Sequence, residues 1–302
     1  MSASGAAHRA GFVALVGRPN VGKSTLLNAL LERKLSIVSP KPQTTRHRIL
    51  GVLSRPGWQL ALVDTPGLHA SERRVLNSWM NKTAAASLAD ADVVALVVEA
   101  LRFTAEDESV LERIRRSGRP AVLIVNKCDR VKPRARLLPY LEELARRHAF
   151  AAIVPISALK RDNLENLPQT LAAQLPESPP LFPPGQLTDR SERFRAAEII
   201  REKLTRRLQQ ELPYGLSVGI EHLAETEDGR LGVGAVIWVE RASQKAIVIG
   251  AGGLLLREVG RAARLELNQL FGRRTHLELW VKVKDNWADS ASALKAFGYD
   301  VS

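Results

Sequence analysis

Between positions 11 and about 175, apolar and polar residues alternate in two rhythms. The short aliphatic runs FVALV, WQLALVD, DVVALVVEA, AVLIVNK and AAIVPIS are separated by stretches such as TLLNALLER, whose apolar residues recur every three to four positions. Uninterrupted apolar runs suit strands buried on both faces, and the spacing between them is helical. The expectation is an α/β domain, a mostly parallel sheet with helices on both faces. The rhythm stops at PESPPLFPPG, residues 176–185, where five prolines in ten residues disfavour helix and central strand. Residues 176–191 are read as a stiff linker between a domain over 1–175 and a smaller one over 192–302.

After the prolines the pattern predicts a helix from about Glu192 to Glu211 and a hairpin of LSVGIEHL and VGAVIWVE around EDG. A strand AIVIG, a glycine cluster, a helix to about Phe271, the alternating strand THLELWVKV and a short final helix follow. This second region is α+β.

The 302 residues, 45% hydrophobic and 25% charged, are enough for two cores. No window approaches the roughly 18 uninterrupted apolar residues of a membrane span, and the opening MSASGAAHRA lacks the apolar core of a signal peptide. Cys128 is the only cysteine, which excludes an internal disulfide and points to a reducing, cytoplasmic setting. The net charge of +12 suggests a polyanionic partner. Residues 1–190 hold 27 basic against 17 acidic residues, whereas 191–302 hold 17 against 15. Within the latter, 215–240 carry one base against five acids and 241–284 nine bases against three acids, which predicts a basic face.

The chemistry begins where the first strand hands over to the first helix. Gly17-Arg18-Pro19-Asn20-Val21-Gly22-Lys23-Ser24-Thr25 matches G-x-x-x-x-G-K-[ST]. Its glycines let backbone N–H groups turn around phosphate oxygens, the helix N-terminus adds its dipole, and Lys23 bridges the terminal phosphates while Ser24 ligates Mg²⁺. Asp64-Thr65-Pro66-Gly67 closes the strand LALVD, from which a carboxylate reaches the Mg²⁺ water shell and the Gly67 amide meets a γ-phosphate. Asn126-Lys127-Cys128-Asp129 ends the strand AVLIV, where a carboxylate accepts from the N1–H and exocyclic amine of guanine, a donor pair adenine lacks. Ser157-Ala158-Leu159 follows the last strand, with the Ala158 amide placed for the guanine O6. Cys128 sits at a variable box position and is assigned no chemistry.

In this order the boxes resemble those of the translation-factor-like GTPases, and more closely the Era family, whose switch reads here Lys41-Pro-Gln-Thr-Thr-Arg-His-Arg48. The resemblance implies that Thr45, rather than Thr44, completes Mg²⁺ coordination in the GTP state. Arg46 and Arg48 belong either to a solvated loop or to a contact with phosphate or RNA, and His47 and His69 are read as solvated. Leu68 follows the Gly67 box glycine and has no group to orient water, so hydrolysis is expected to be slow. The resemblance supplies a K⁺ beside the phosphates with Asn20 as its ligand; the alternative is that Asn20 braces the loop. Catalysis is thereby assigned to Lys23, Thr45, Gly67 and Asn20.

Gly250-Ala251-Gly252-Gly253, ahead of LLLREVGRAARLELNQLFG, is a GxxG loop of the kind that lets about four single-stranded nucleotides lie against bare backbone. Arg257, Arg261 and Arg264 share one face of that helix, while Leu256, Ala263, Leu267 and Leu270 line the other. Lys245 adds charge, Ile247 and Ile249 are candidates for the groove floor, and Ala251 stands where such loops often carry lysine. Trp238, Trp280 and Trp287 are read as core residues rather than base-stacking platforms.

The stretch SQKAIVIGAGGLLLREVGRAAR through LFGRRTHLELWVKVKDNW resembles the C-terminal KH domain of the same family. The resemblance implies a P-loop GTPase domain followed by a type II KH domain. It further implies a monomeric GTPase that binds GTP and GDP and assists assembly of the 30S small ribosomal subunit by binding 16S rRNA near its 3′ end. Peripheral membrane contact is compatible with the basic surface, and no anchor demands it. The alternatives are an RNA-binding module with a vestigial nucleotide site, or a related ribosome GTPase whose KH-like domain contacts protein.

Overall fold

The computed structural model describes residues 8–41, 43–67, 74–208 and 212–299, so Leu68 and His69 lie outside the described residues. It divides into two compact units, one of residues 1–36, 45–71 and 80–189, the other of residues 37–44, 72–79 and 190–302.

Among the described residues the first unit holds one six-stranded sheet. Its parallel members β1 (Arg9–Val16), β3 (Trp58–Asp64), β4 (Val93–Glu99), β5 (Ala121–Asn126) and β6 (Ala152–Pro155) run in the order β3-β1-β4-β5-β6. An edge strand β2 (Ile49–Arg55), absent from the sequence reading, pairs antiparallel with β3. Both faces are covered. Ala14, Val16, Val94, Leu96, Val98, Leu123 and Val125 share one cluster with Val110, Leu111 and Ile114 of α3 (Ala105–Ser117). On the other face α1 (Lys23–Leu31) packs on β2 and β3, and α5 (Leu167–Ala172) on β1 and β3. Residues 80–89 of α2 (Val75–Ala89), whose first turn is assigned to the second unit, and α4 (Leu137–Ala145) complete the alternation. Every strand end that carries a box therefore opens at the carboxyl edge of the sheet, where α/β proteins bind ligands.

The proline segment is not a free linker. Its backbone is tied to the first sheet: Leu181 N and Phe182 N donate to Gln59 Oε1 at 2.7 and 2.9 Å, and Val52 N donates to Leu187 O at 2.8 Å. The Phe182 ring meets Phe12 edge to face, 6.2 Å between centroids. Proline blocks ladder pairing through its own nitrogen, but the intervening Leu181, Phe182 and Leu187 keep their polar groups and use them. Residues 176–189 thus belong to the first unit, and the expected 176–191 linker shrinks accordingly.

In the second unit α6 (Glu192–Arg207) precedes the antiparallel pair β7 (Leu216–Glu225) and β8 (Leu231–Val239). Then come α7 (Ala242–Ile249), α8 (Leu254–Phe271), β9 (Thr275–Val283), parallel to β8, and α9 (Ala291–Ala296). Ile200 and Leu204 of α6, Val248 of α7 and Val259, Ala263 and Leu267 of α8 pack on Val233, Ala235 and Ile237 of β8. Here three expectations fail. The AIVIG run is helical, not extended: Gln244 Oε1 accepts from the backbone N–H groups of Glu240 and Arg241 at 2.8 and 3.1 Å, which starts a helix that buries Val248. Three β-branched residues in one turn carry no periodicity that separates strand from helix. Trp280 is not core: it is 45% exposed because β9 turns Leu277, Leu279 and Val281 inward and its alternate residues outward. Trp287 is fully buried and donates to Gly215 O at 3.1 Å, and Trp238 is half-buried against Phe297. Helix α6 ends at Arg207, short of the expected Glu211, because Leu208 is extended. No helix among the described residues is long and apolar enough to cross a membrane.

Candidate functional site

The loop from Gly17 to Gly22 wraps the start of α1 as the spacing demands. Gly22 has a left-handed backbone (φ 106°), and a Cβ there would run into Asn126 Nδ2. That approach matters because Asn126 Nδ2 donates to Val21 O at 2.8 Å, binding the loop to the strand end that carries the base box. Lys23 lies at the loop centre, its Nζ donating to Gly17 O and Arg18 O at 2.8 and 3.0 Å. Burial pulls its pKa down to about 8, against the opposing pull of Asp64. Among the described residues the partners of this buried ammonium are those two carbonyls, an arrangement that suits it to serve as the counter-charge of an anion. Asn20 is exposed at the loop tip with φ 63°, and Pro19 lies against Gly67, where a Cβ would come within 2.9 Å of its ring.

Ser24, Thr45 and Asp64 converge. Ser24 Oγ donates to Asp64 Oδ2 at 2.6 Å and lies 2.8 Å from Thr45 Oγ1, which is itself 3.5 Å from that carboxylate. Ser36, which no motif singled out, also donates to Asp64 Oδ2, at 2.7 Å. Its approach depends on Asn28, which accepts from Leu35 N and Ser36 N and donates to Ser36 O. The other oxygen, Asp64 Oδ1, is buried and has no hydrogen-bond partner among the described residues, and burial pushes the carboxyl above its usual range despite the hydroxyl donors. Two hydroxyl oxygens beside an orphaned carboxylate oxygen are a hard-oxygen donor set that fits Mg²⁺ and its waters. Thr44 is turned elsewhere, donating to Lys41 O at 2.6 Å and lying 2.7 Å from Ser39 Oγ. Thr65 donates to Leu15 O at 2.9 Å, bracing the turn that carries Pro66.

At the base end, Asn126 Oδ1 accepts from Lys127 N at 2.8 Å and Ala158 N at 2.9 Å, so the Ala158 amide is engaged within the protein. Ser157 Oγ donates to Asp129 Oδ1 at 2.6 Å and orients that carboxylate, while Leu159 is exposed beside it. Cys128 is buried and its thiol is pushed up to about 11, in keeping with a structural residue. Arg18 turns inward, onto Asp107 and Glu99, rather than toward the loop mouth. His47 is buried, unlike the solvated residue expected, and Arg46 is buried too, which leaves it outside the solvated-loop alternative; Arg48 is half-buried, with Asp90 at 3.7 Å and the Phe12 ring beneath it.

The second unit holds the glycine turn between α7 and α8. Gly250 (φ 74°) cannot be replaced simply, since a Cβ would fall 2.8 Å from Leu255 Cβ, whereas one at Gly252 or Gly253 would meet nothing within 4 Å. Ala251 is exposed. An open groove beside the turn is lined by Gly253, Leu256, Arg257, Arg261, Arg264 and Leu279 among others. All three arginines are exposed on one helix face. Lys245 and Ile247 are exposed on α7, and Ile249 packs partly into the core.

A family model described as 50S ribosome-binding GTPase matches residues 12–127, and a KH domain model matches residues 211–288. GTPase Era of Stenotrophomonas maltophilia (strain R551-3) is 52% identical over 294 residues, 97% of this chain and 98% of that one. GTPase Era of Xanthomonas oryzae pv. oryzae (strain MAFF 311018) is 51% identical over 300 residues, 99% and 100% of the two chains. Among solved structures, an Aquifex aeolicus Era variant bound to GDP and AlF4⁻ has a TM-score of 0.93 and 40% identity, with 96% and 99% of the chains covered. An Era complex with MgGDPNP and nucleotides 1506–1542 of 16S ribosomal RNA has a TM-score of 0.93 and 40% identity, covering 97% and 99%.

Proposed function

Because the chain belongs to the Era family of GTPases, we propose that it couples GTP hydrolysis in the first unit to the holding of single-stranded 16S rRNA, near its 3′ end, by the second. It is a GTP-hydrolysing enzyme built from a P-loop GTPase domain and a KH domain. The observation that carries the reading is the convergence of Ser24, Thr45 and the orphaned Asp64 oxygen beside a buried Lys23, in a chain that also presents a bare glycine turn next to three exposed arginines.

Gly17 to Thr25 wrap the phosphates, and Lys23 exchanges its carbonyl partners for phosphate oxygens. Ser24 and Thr45 ligate Mg²⁺, with Asp64 accepting from its waters; the ion, when bound, neutralises charge developing on the phosphoryl oxygens. The Gly67 amide meets the γ-phosphate. Asp129, oriented by Ser157, accepts from the guanine edge, and Asn126 joins that edge to the loop. Asn20, exposed at the loop tip, would hold a K⁺, which would supply the positive charge that an arginine finger supplies in other GTPases. Gly250 to Gly253 take the RNA backbone, Arg257, Arg261, Arg264 and Lys245 neutralise its phosphates, and Ile247 and Ile249 offer apolar contact. The destination is the assembling 30S subunit.

The test measures phosphate release from GTP in K⁺ and in Na⁺ buffers, together with fluorescence anisotropy on a labelled oligoribonucleotide of the 16S 3′ end, with ATP and a scrambled oligoribonucleotide as controls. Mg²⁺-dependent release from GTP but not ATP, faster in K⁺, with preferential binding of the 3′-end RNA is expected. Equal rates in the two salts remove Asn20 from catalysis, and equal affinity for scrambled RNA removes the 16S assignment.

A further inference from the structure

The two ends of the nucleotide site are joined by an ion network whose acidic members, Glu99 and Asp107, lie in none of the sequence boxes. Glu99, the last residue of β4, receives Arg18 Nη2 from the phosphate loop at 2.9 Å and Lys127 Nζ from the base box at 3.1 Å, both on the same oxygen, Oε2. Arg18 Nε reaches Asp107 Oδ2 at 3.1 Å, and that oxygen also accepts from Thr104 N and Oγ1 at 2.9 and 3.0 Å at the start of α3. Asp107 is fully buried and Arg18 is buried. Arg18 also offers its backbone oxygen to Lys23 Nζ, so the position of the guanidinium bears on the position of the catalytic ammonium. Tyr140 donates to Glu99 O at 3.2 Å and Ala100 N to Asn126 O at 2.8 Å, so the backbone around Glu99 is fixed from two further sides. Burial by itself would raise the Glu99 carboxyl, but the hydrogen bonds from Lys127 and Arg18 hold it below its usual range, which keeps it ionised at neutral pH.

We propose that Glu99 is a positioning residue that ties the phosphate loop to the guanine box through Arg18 and Lys127, so that grip on the phosphates and discrimination of the base are set together. The inference rests on the guanine-nucleotide reading of the site. Its particular content is an asymmetry between two carboxylates. Glu99 touches both ends, whereas among the described residues Asp107 reaches the phosphate-loop end alone, through Arg18, its other bonds going to Thr104 of its own helix start. Loss of Glu99 therefore loosens phosphates and base alike, and loss of Asp107 loosens the phosphates alone. A residue that served only to keep the fold together has no reason to separate these effects.

Glu99→Gln and Asp107→Asn in the full chain are compared with the wild type by dissociation of a fluorescent GDP analogue and by competition with GDP and with inosine diphosphate. Inosine lacks the exocyclic amine, so the ratio of the two affinities reports the grip of Asp129 on the base edge. Both variants are expected to release GDP about tenfold faster, the size of a lost charge-assisted hydrogen bond. Only Glu99→Gln is expected to lower the preference for GDP over inosine diphosphate, by several-fold. Glu99→Asp keeps the charge but shortens its reach, so it carries the same test with a milder change should the glutamine variant not fold. An unchanged preference in a folded Glu99 variant, or an equal fall in both carboxylate variants, overturns the proposal. Absence of GDP binding by the wild type overturns the nucleotide-site reading instead.

Discussion

Two glycine turns in this chain lead into helix starts, and they differ in depth. The turn before α1 is buried, carries its own ammonium and is fastened to Asn126 and Glu99. The turn before α8 is open on one side, where side chains added at Gly252 or Gly253 would meet only solvent, and its charge is supplied by arginines along an exposed face. The backbone chemistry is alike, but the electrostatics are not. A buried site excludes water, so each polar contact counts and a wrong base leaves groups unpaired. An exposed one reads mainly the charge of a polymer and is weakened by salt.

The largest expected effect falls on the deep site. Lys23→Ala should lower GTP hydrolysis about 10³-fold, measured as phosphate release, because it removes the preorganised counter-charge, while RNA affinity without nucleotide stays unchanged. Salt separates the two sites next. With about 4 phosphates neutralised at roughly 0.7 each, RNA affinity should fall by nearly three log units per tenfold rise in salt, and a slope near zero would show that the open turn does not hold RNA. Glycine replacement sharpens the contrast. Gly22→Ala drives a methyl group into Asn126 and should weaken GDP binding about 100-fold in a calorimetric titration. Gly252→Ala has room and should cost only about 1–2 kcal/mol of backbone strain, with GDP binding intact.

The pH dependence is smaller and confined to the first site. Because burial lowers the Lys23 pKa to about 8, its ammonium is half titrated at that pH and complete only well below it, and phosphates favour keeping it. GDP affinity should level off well below pH 8 and fall above it by up to about tenfold per unit until the bound-state pKa is reached. The stability of the nucleotide-free protein should move the other way, rising between pH 8 and 10.5 as the unfolded chain holds the proton that the fold releases. The smallest change is a gain: Ala251→Lys adds a cation to the open turn and should tighten RNA binding a few-fold, as anisotropy can register.

The parts of the fold legible in the sequence were those with a repeating signal. Both-face burial gave β1, β3, β4 and β5 uninterrupted apolar stretches in their interiors, and the Arg257, Arg261, Arg264 spacing announced α8 and its two faces. Segments chosen by tertiary context escaped. The AIVIG run looks extended but lies in a helix, because Gln244 caps that helix and Val248 reaches the core, and β2 is visible only once its partner β3 is in place. At the site, fixed spacings marked Lys23, Ser24, Asp64, Asn126 and Asp129. Ser36, Glu99 and Asp107 share no spacing with any box, since they meet the site from separate elements, and only the assembled sheet edge brings them there.

The most direct test of the account is a calorimetric titration of the wild type and of Asp129→Asn with GDP, ADP and xanthosine diphosphate in Mg²⁺ buffer. The wild type should bind GDP and reject ADP. The variant, which replaces an acceptor with an amide able to donate to the carbonyl at C2 of xanthine, should lose GDP and gain xanthosine diphosphate. Equal heats with GDP and ADP, or no heat with either, would contradict a guanine-specific cradle at the carboxyl edge of the first sheet.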